Sequence, residues 1–366
     1  MTVTIPILDL SKFQPDNPEA AASTQKFLDE LYTAMHEVGF FYVRNHGVRS
    51  EILQGGFEIS KAFFNLPLEE KLKIEKIHSP HFRGYTQLYQ EITDYKEDNR
   101  EQVDIGREFP AEPITDDRPL YSSMRGPNLW PENLPEFKKH ILELMQAMTD
   151  VGITILRAMA KSLRVVDEAA FMEMFNDDYC ARMKLTRYPG MKNAVDKPLD
   201  HGLGVGPHKD YGFLALLLQD SIGGLQVQSH DGQWIDATPI PGTFVVNIGE
   251  TLERLTNKTF IATTHRVLNN PDDRDRFSIP VFLAPSLDTH VPQALTPATP
   301  DKQETDKNFK AVISDVKENQ LLQDEIYGVN ELNGFFRSHP RIRDRWYQYD
   351  EKSKLWSRRE TPLVST

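Results

Sequence analysis

Cysteine is nearly absent: Cys180 is the only one in 366 residues. No intrachain disulfide can form, so nothing in the chain demands an oxidising compartment. Cys180 itself reads as a small apolar group at the start of a buried strand. Long apolar runs are missing too, and a bilayer-spanning helix would need about 20 such residues. The opening MTVTIPILDLSKF has no basic region followed by an apolar run, so it does not read as a signal peptide. Positive charge is in deficit, with 42 Lys and Arg against 54 Asp and Glu and a net charge of -12. That argues against a general nucleic-acid or anionic-membrane binder. There is no HExxH helix of the kind that serves zinc hydrolases. Internal repeats and low-complexity linkers are absent as well. A cytoplasmic enzyme acting on a small molecule is the simplest expectation, and oligomeric state is left open.

What is present is ordinary globular composition, 39% hydrophobic and 26% charged. Ile5-Pro6-Ile7-Leu8-Asp9 and Phe40-Phe41-Tyr42-Val43 predict strands, because β-branched and aromatic side chains suit a pleated sheet. Helical spacing of Phe27, Leu28, Leu31 and Met35 predicts a helix over 20–38. A second helix is expected over 50–64, ending before Pro67. Residues 78–133 show no sustained period and read as loops with short elements. A long helix follows over 134–163, and its Met145, Met148 and Met159 read as core packing. From about residue 179 short strands dominate, over 183–188, 213–218, 225–228, 234–237, 244–248, 262–267 and 277–283. Asp231-Gly232 marks a hairpin between two of them. Such a run of short strands suggests a sandwich or jelly roll. The expected organisation is an N-terminal mixed region over 1–178, a β core over 179–290 and a C-terminal helical segment over 291–366, packed as one body.

His208-Lys209-Asp210 is the pivot of the functional reading. On a strand, residues i and i+2 face the same way, so an imidazole and a carboxylate would converge. Alone the pair is weak. Gly202, Gly204 and Gly206 before it allow a tight approach of backbone. His265, in a second predicted strand, supplies another imidazole. Two His and one Asp form the facial triad of non-haem iron(II) enzymes, which leaves positions open for a cosubstrate and dioxygen. A satisfied core histidine is the alternative for His265, and zinc is an alternative metal. Further on, Arg276 and Ser278 share a strand face, so a guanidinium and a hydroxyl point together. Arg can grip a carboxylate through two parallel hydrogen bonds. A sheet-edge salt bridge is the competing use of Arg276.

The order of these motifs resembles the isopenicillin N synthase-like branch of the 2-oxoglutarate- and iron(II)-dependent dioxygenases. The residues that carry it are Gly206-Pro207-His208-Lys209-Asp210-Tyr211-Gly212, Gly223-Gly224-Leu225-Gln226-Val227, Thr264-His265-Arg266-Val267 and Arg276-Phe277-Ser278. His46-Gly47-Val48, Arg83-Gly84-Tyr85 and Gly126-Pro127-Asn128-Leu129-Trp130-Pro131 fit as well. The resemblance implies a mixed α and β fold: a double-stranded β-helix (jelly-roll) core with flanking N-terminal and C-terminal helices. It implies Fe(II) on His208, Asp210 and His265, with no catalytic residue beyond the ligands. It implies 2-oxoglutarate held by Arg276, Ser278 and Tyr188, and O2 as oxidant. Thr186 stands where plant members commonly carry Asn, a departure beside the cosubstrate. The implied reaction is hydroxylation of an unactivated C–H bond, with release of succinate and CO2. A 2-oxoglutarate-independent iron oxidase and a non-catalytic binder on the same fold are the alternatives. Phe282, on the face of Ser278, is expected to line the substrate pocket, with Tyr85, Leu88 and Arg187 as further lining candidates. Arg187 and Tyr188 alternate along one strand, so only one of them is expected to face the site.

Overall fold

The computed structural model describes residues 4–363 except 94–95, 112–114, 116–117, 165–166, 176, 191–202, 271 and 292–324. Along the chain, β1 (Ile7–Asp9), α1 (Ala21–Glu37), β2 (Phe40–Arg44), α2 (Ser50–Phe64) and α3 (Leu68–Leu72) come first. Then follow β3 (Gly84–Thr86), β4 (Ile92–Thr93), β5 (Lys96–Glu97), β6 (Glu101–Gly106), α4 (Phe137–Ser162) and α5 (Glu168–Glu173). The β-rich part holds β7 (Cys180–Tyr188), β8 (Leu203–His208), β9 (Leu214–Gln219), β10 (Leu225–Gln228), β11 (Trp234–Asp236) and β12 (Thr243–Ile248). After α6 (Glu250–Leu255) come β13 (His265–Leu268), β14 (Arg276–Ala284), α7 (Tyr327–Ser338), α8 (Pro340–Trp346), β15 (Tyr347–Asp350) and β16 (Leu355–Arg358).

Two sheets make the jelly-roll core. The major sheet has eight strands in the order β1-β2-β12-β9-β14-β7-β6-β3, and the minor sheet has four in the order β11-β10-β13-β8. The N-terminal region is more than a layer packed on this core. β1, β2, β3 and β6 extend the major sheet at both edges, so residues ahead of 179 build part of the barrel wall. β6 is the longest of the strands within 78–133, where periodicity predicts only loops with short elements. Its charged residues are buried in ion pairs: Glu101 meets Lys71 at 2.8 Å, and Asp104 meets Lys76 at 2.6 Å. The C-terminal segment is not wholly helical, since it closes with the β15–β16 hairpin.

Helices cover the outer face of the major sheet. α1 buries Phe27, Leu28, Leu31 and Met35, and α4 buries Ile141, Leu144, Met145, Met148 and Met159, so the Met stripe is core. Ala181, Met183 and Leu185 of β7 join the core beneath the helices, together with Phe277, Ile279, Val281 and Leu283 of β14. The alternate residues face the minor sheet. Phe40, Tyr42, Tyr188 and Val245 of the major sheet form a second core with Val205, Leu225, Val227 and Val267 of the minor one. Period-two alternation thus gives each strand of the major sheet an outer face for packing and an inner face for the site. Among the described residues, no helix is long and apolar enough to cross a membrane.

Candidate active site

His208 ends β8 and His265 begins β13, and these two strands pair with His208 opposite His265. Distance along the chain disappears in the antiparallel ladder. Asp210 lies two residues past His208, just beyond the end of β8. Its backbone is held by the start of α6. Glu250 N–H donates to the Asp210 carbonyl at 2.7 Å, and Thr251 N–H donates to the Tyr211 carbonyl at 3.2 Å. Only glycine fits at 249 there: a Cβ would stand 2.4 Å from the Gly212 oxygen and 2.8 Å from the Asp210 oxygen.

The donor atoms of His208, Asp210 and His265 lie within 4.8 Å of one another. Each His Nε2 is 3.8 Å from Asp210 Oδ1. His208 Nδ1 lies 2.9 Å from the Gly206 carbonyl, and His265 Nδ1 lies 3.1 Å from the Thr263 carbonyl. A carbonyl can only accept, so these contacts place the proton on Nδ1 and leave the Nε2 lone pairs toward Asp210. Burial pushes both imidazoles down, and His265 reaches about 4, so both rings are neutral at pH 7 and free to ligate. Asn247 Nδ2 donates to Asp210 Oδ2 at 2.7 Å and sets the carboxylate plane. The Phe40 ring meets His265 edge-on at 5.2 Å between centroids. Three such donors, oriented and partly shielded, suit a divalent metal with open positions.

Arg276 opens β14 and is 1% exposed. Its Nε donates to the Ile222 carbonyl at 3.1 Å, and its guanidinium lies 4.7 Å from the Tyr188 ring centre. Its Nη1 is buried with no hydrogen-bond partner. An unsatisfied buried guanidinium nitrogen is costly, and a bound carboxylate would satisfy it. The sheet-edge salt bridge is therefore not how Arg276 is used. Tyr188 ties this pocket to the metal strands, because Gly204 of β8 lies against its ring and a Cβ there would come within 2.8 Å. Gly202 lies outside the described residues. Next to Arg276, a row of polar side chains crosses five strands on the inner face: Thr86, Gln102, Thr186, Ser278 and Gln219. Thr186 pairs with Ser278, so the residue that departs from the plant pattern sits beside the anion pocket. Thr86 Oγ1, Gln102 Oε1 and Gln219 Oε1 are buried and unpaired, which leaves this floor with spare hydrogen-bonding capacity.

The lining candidates divide. Phe282 faces inward, opposite Arg182 and Ala215. Leu88 is half-buried in a turn after β3. Tyr85 and Arg187 face the helices instead. The Tyr85 hydroxyl donates to Glu101, and Arg187 pairs with Glu101 and Asp275 at 2.5 and 2.6 Å. They brace the outer side of the sheet and do not line the pocket, because strand parity sets Arg187 opposite to Tyr188. Asn247 and Gly249 were not among the expected site residues. Their signal is an amide at the end of the apolar run Phe244-Val245-Val246, with a glycine two places later. Burial pushes the Cys180 thiol up to about 12, which leaves it no role as a nucleophile.

Residues 179–285 match the 2OG-Fe(II) oxygenase superfamily, and residues 5–133 match the N-terminal family described as non-haem dioxygenase in morphine synthesis. A 2-oxoglutarate-dependent dioxygenase of Dothideomycetidae sp. is 35% identical over 355 residues, covering 95% of this chain and 93% of the relative. The chain belongs to the 2-oxoglutarate- and iron(II)-dependent dioxygenases. A second member, a homoarginine-6-hydroxylase of Arabidopsis thaliana, is 36% identical and covers 73% of this chain and 80% of its own. Among solved structures, a full-length Neurospora crassa protein in complex with alpha-KG and thymine superposes with a TM-score of 0.69. It is 29% identical, over 90% of this chain and 96% of that one. As a dioxygenase of this family, the chain uses iron(II) and 2-oxoglutarate, and its donor set and unpaired Arg276 nitrogen fit both.

Proposed function

We propose that His208, Asp210 and His265 hold iron(II), and that Arg276 and Ser278 take the distal carboxylate of 2-oxoglutarate beneath the Tyr188 ring. The observation that carries this reading is the buried, unpaired Nη1 of Arg276 on the inner wall of a barrel whose other sheet carries the two histidines. Bound together, the metal and cosubstrate supply the oxidising power, as 2-oxoglutarate is decarboxylated to succinate and CO2 and dioxygen is consumed. The protein's own part is placement. The carbonyls of Gly206 and Thr263 fix the two rings, Asn247 fixes the carboxylate, and the apolar faces of Phe40 and Tyr188 keep water from the reacting centre.

The substrate in this reading is a small molecule, hydroxylated at an unactivated C–H bond, with Phe282 on the pocket wall and Leu88 near its rim. Support comes from the small molecules named for relatives, homoarginine and thymine. The three-part organisation belongs to the same proposal, with 179–290 carrying the chemistry and 1–178 and 291–366 shaping access. So does residence in the cytoplasm, supported by the single cysteine. The test is succinate formation from 2-oxoglutarate by the iron-loaded protein, against a panel that includes homoarginine and thymine. Succinate that rises with one panel member, in step with its hydroxylated product, is the expected result. Substrate oxidation that proceeds without 2-oxoglutarate would replace this reading with an iron oxidase.

A further inference from the structure

Above the row that holds Ser278, a second row crosses six strands of the major sheet on the same inner face. It runs Gly106, Arg182, Phe282, Ala215, Asn247 and Phe40, each opposite the next. One end of this row is fixed at the metal centre, because Asn247 bonds Asp210 and Phe40 packs on His265. Arg182 therefore stands at the level of the metal, three strands from Asn247. At roughly 4.8 Å per strand that is on the order of 14 Å between backbones, with Phe282 between them. Phe282 and Ala215 are the inward-facing residues of the row between Arg182 and Asn247.

Arg182 is held but not saturated. Its guanidinium stacks on the Phe335 ring of α7, 3.9 Å from the centre. Its Nε meets Glu331 of α7 at 3.4 Å, and among the described residues Nη2 has only the Met124 sulfur at 3.6 Å, a weak acceptor. Among the described residues, Nη1 has no protein acceptor. Glu331 is itself engaged by the Tyr327 hydroxyl at 2.8 Å. Tyr211, which follows Asp210, packs against the same helix, where a Cβ on Gly334 would lie 3.3 Å from the phenolic oxygen. Arg182 thus stands beside Phe282 on the inner face, and one edge of its fork is left for a ligand.

We propose, building on the dioxygenase site above, that Arg182 is the specificity-determining anchor for the primary substrate. It grips a planar oxygen acceptor, a carboxylate or a ring carbonyl, while the reacting carbon lies over Phe282 toward the metal. The fork geometry of arginine matches such an acceptor in its own plane. Stacking on Phe335 keeps that plane fixed before the ligand arrives, so little order is lost on binding. α7 is then part of the pocket wall, which gives the C-terminal segment a role in substrate choice.

The test uses the whole chain, loaded anaerobically with iron(II) and 2-oxoglutarate, titrated calorimetrically with two probes. Phenylacetate presents a carboxylate, and thymine presents ring carbonyls. At least one should bind, and Arg182→Gln should weaken it ten-fold or more. Arg182→Lys should recover only part of the loss. Glu331→Gln, which frees the guanidinium, should tighten phenylacetate several-fold. Binding of phenylacetate alone assigns a carboxylate substrate, and binding of thymine alone assigns a ring carbonyl. If neither probe binds, or if the bound probe keeps its affinity in Arg182→Gln, the proposal is overturned. The 2-oxoglutarate affinity, followed through its visible absorption band with iron, should be the same in all variants. Loss of that band in the wild type would overturn the cosubstrate site instead, so the two failures are distinguishable.

Discussion

Replacing Arg276 by lysine keeps one positive charge in the same buried place and removes the planar fork. In the native structure the guanidinium does three things at once. Nε donates to the Ile222 carbonyl, the plane stacks on Tyr188, and Nη1 is left over for a ligand. An ammonium is a point donor and cannot meet the Ile222 carbonyl and a carboxylate with the same directionality. At least one charge-assisted hydrogen bond to 2-oxoglutarate should be lost, worth about 1.5–3 kcal/mol. On the affinity scale that is roughly a ten- to hundred-fold rise in the apparent KM for 2-oxoglutarate. Iron content should not change, because Arg276 is not among the three donors. Ser278→Ala removes a single neutral hydroxyl, and the rise should be smaller, about 0.5–1.5 kcal/mol in the same units. The assay is 2-oxoglutarate titration of succinate formation, with iron measured in each preparation. An unchanged titration curve in Arg276→Lys, with succinate still produced, would mean that the carboxylate binds elsewhere.

His208→Ala and His265→Ala should each abolish iron-dependent turnover while near-native circular dichroism is retained; near-normal iron content and activity in either would remove that residue from the ligand set. Asn247→Ala, which frees the Asp210 carboxylate, should weaken iron binding about 10–100-fold by metal titration, the usual effect of an outer-sphere partner. A pH effect is expected from His339, which lies between the Phe82 and Phe335 rings with Lys76 Nζ at 3.1 Å and Glu91, Asp104 and Lys184 close by. Burial, and then the Lys76 charge, hold it down at about 3, so below about pH 6.5 the unfolded chain takes up a proton that the folded one refuses. Stability should fall as pH drops from 6.5, by at most about 1.4 kcal/mol per pH unit. His339→Asn should flatten that part of the urea-midpoint profile, and an unchanged slope would refute the assignment.

Much of the site was legible because its residues lie at strand ends, where motif and structure coincide. His265 begins β13 and Arg276 begins β14, so their neighbours in sequence already carry the strand signal. The pairing that sets His265 opposite His208 is a long-range event, and residue pattern alone could only make it plausible. Asp210 lies just past the strand end, and its anchoring by the start of α6 is a contact that no local window contains. β6 was hidden for a physical reason. Alternation of apolar and polar residues signals a half-solvated strand, and here Glu101 and Asp104 are taken out of water by pairing with Lys71, Arg187, Lys76 and Lys184. Such pairs depend on partners far away in the chain, so no local window contains them. Tyr85 and Arg187 were misplaced by the same strand-face uncertainty that the Arg187–Tyr188 alternation already announced. The contribution of α7, through Glu331 and Phe335, had no local signal at all.

The most direct test of the whole account is anaerobic mixing of the purified protein with iron(II) and then 2-oxoglutarate, followed by visible absorption. The account predicts a weak charge-transfer band that saturates with 2-oxoglutarate, vanishes in His265→Ala and requires about ten-fold or more cosubstrate in Arg276→Lys. No band in the wild type at saturating iron and 2-oxoglutarate, or an equal band in His265→Ala, would contradict it.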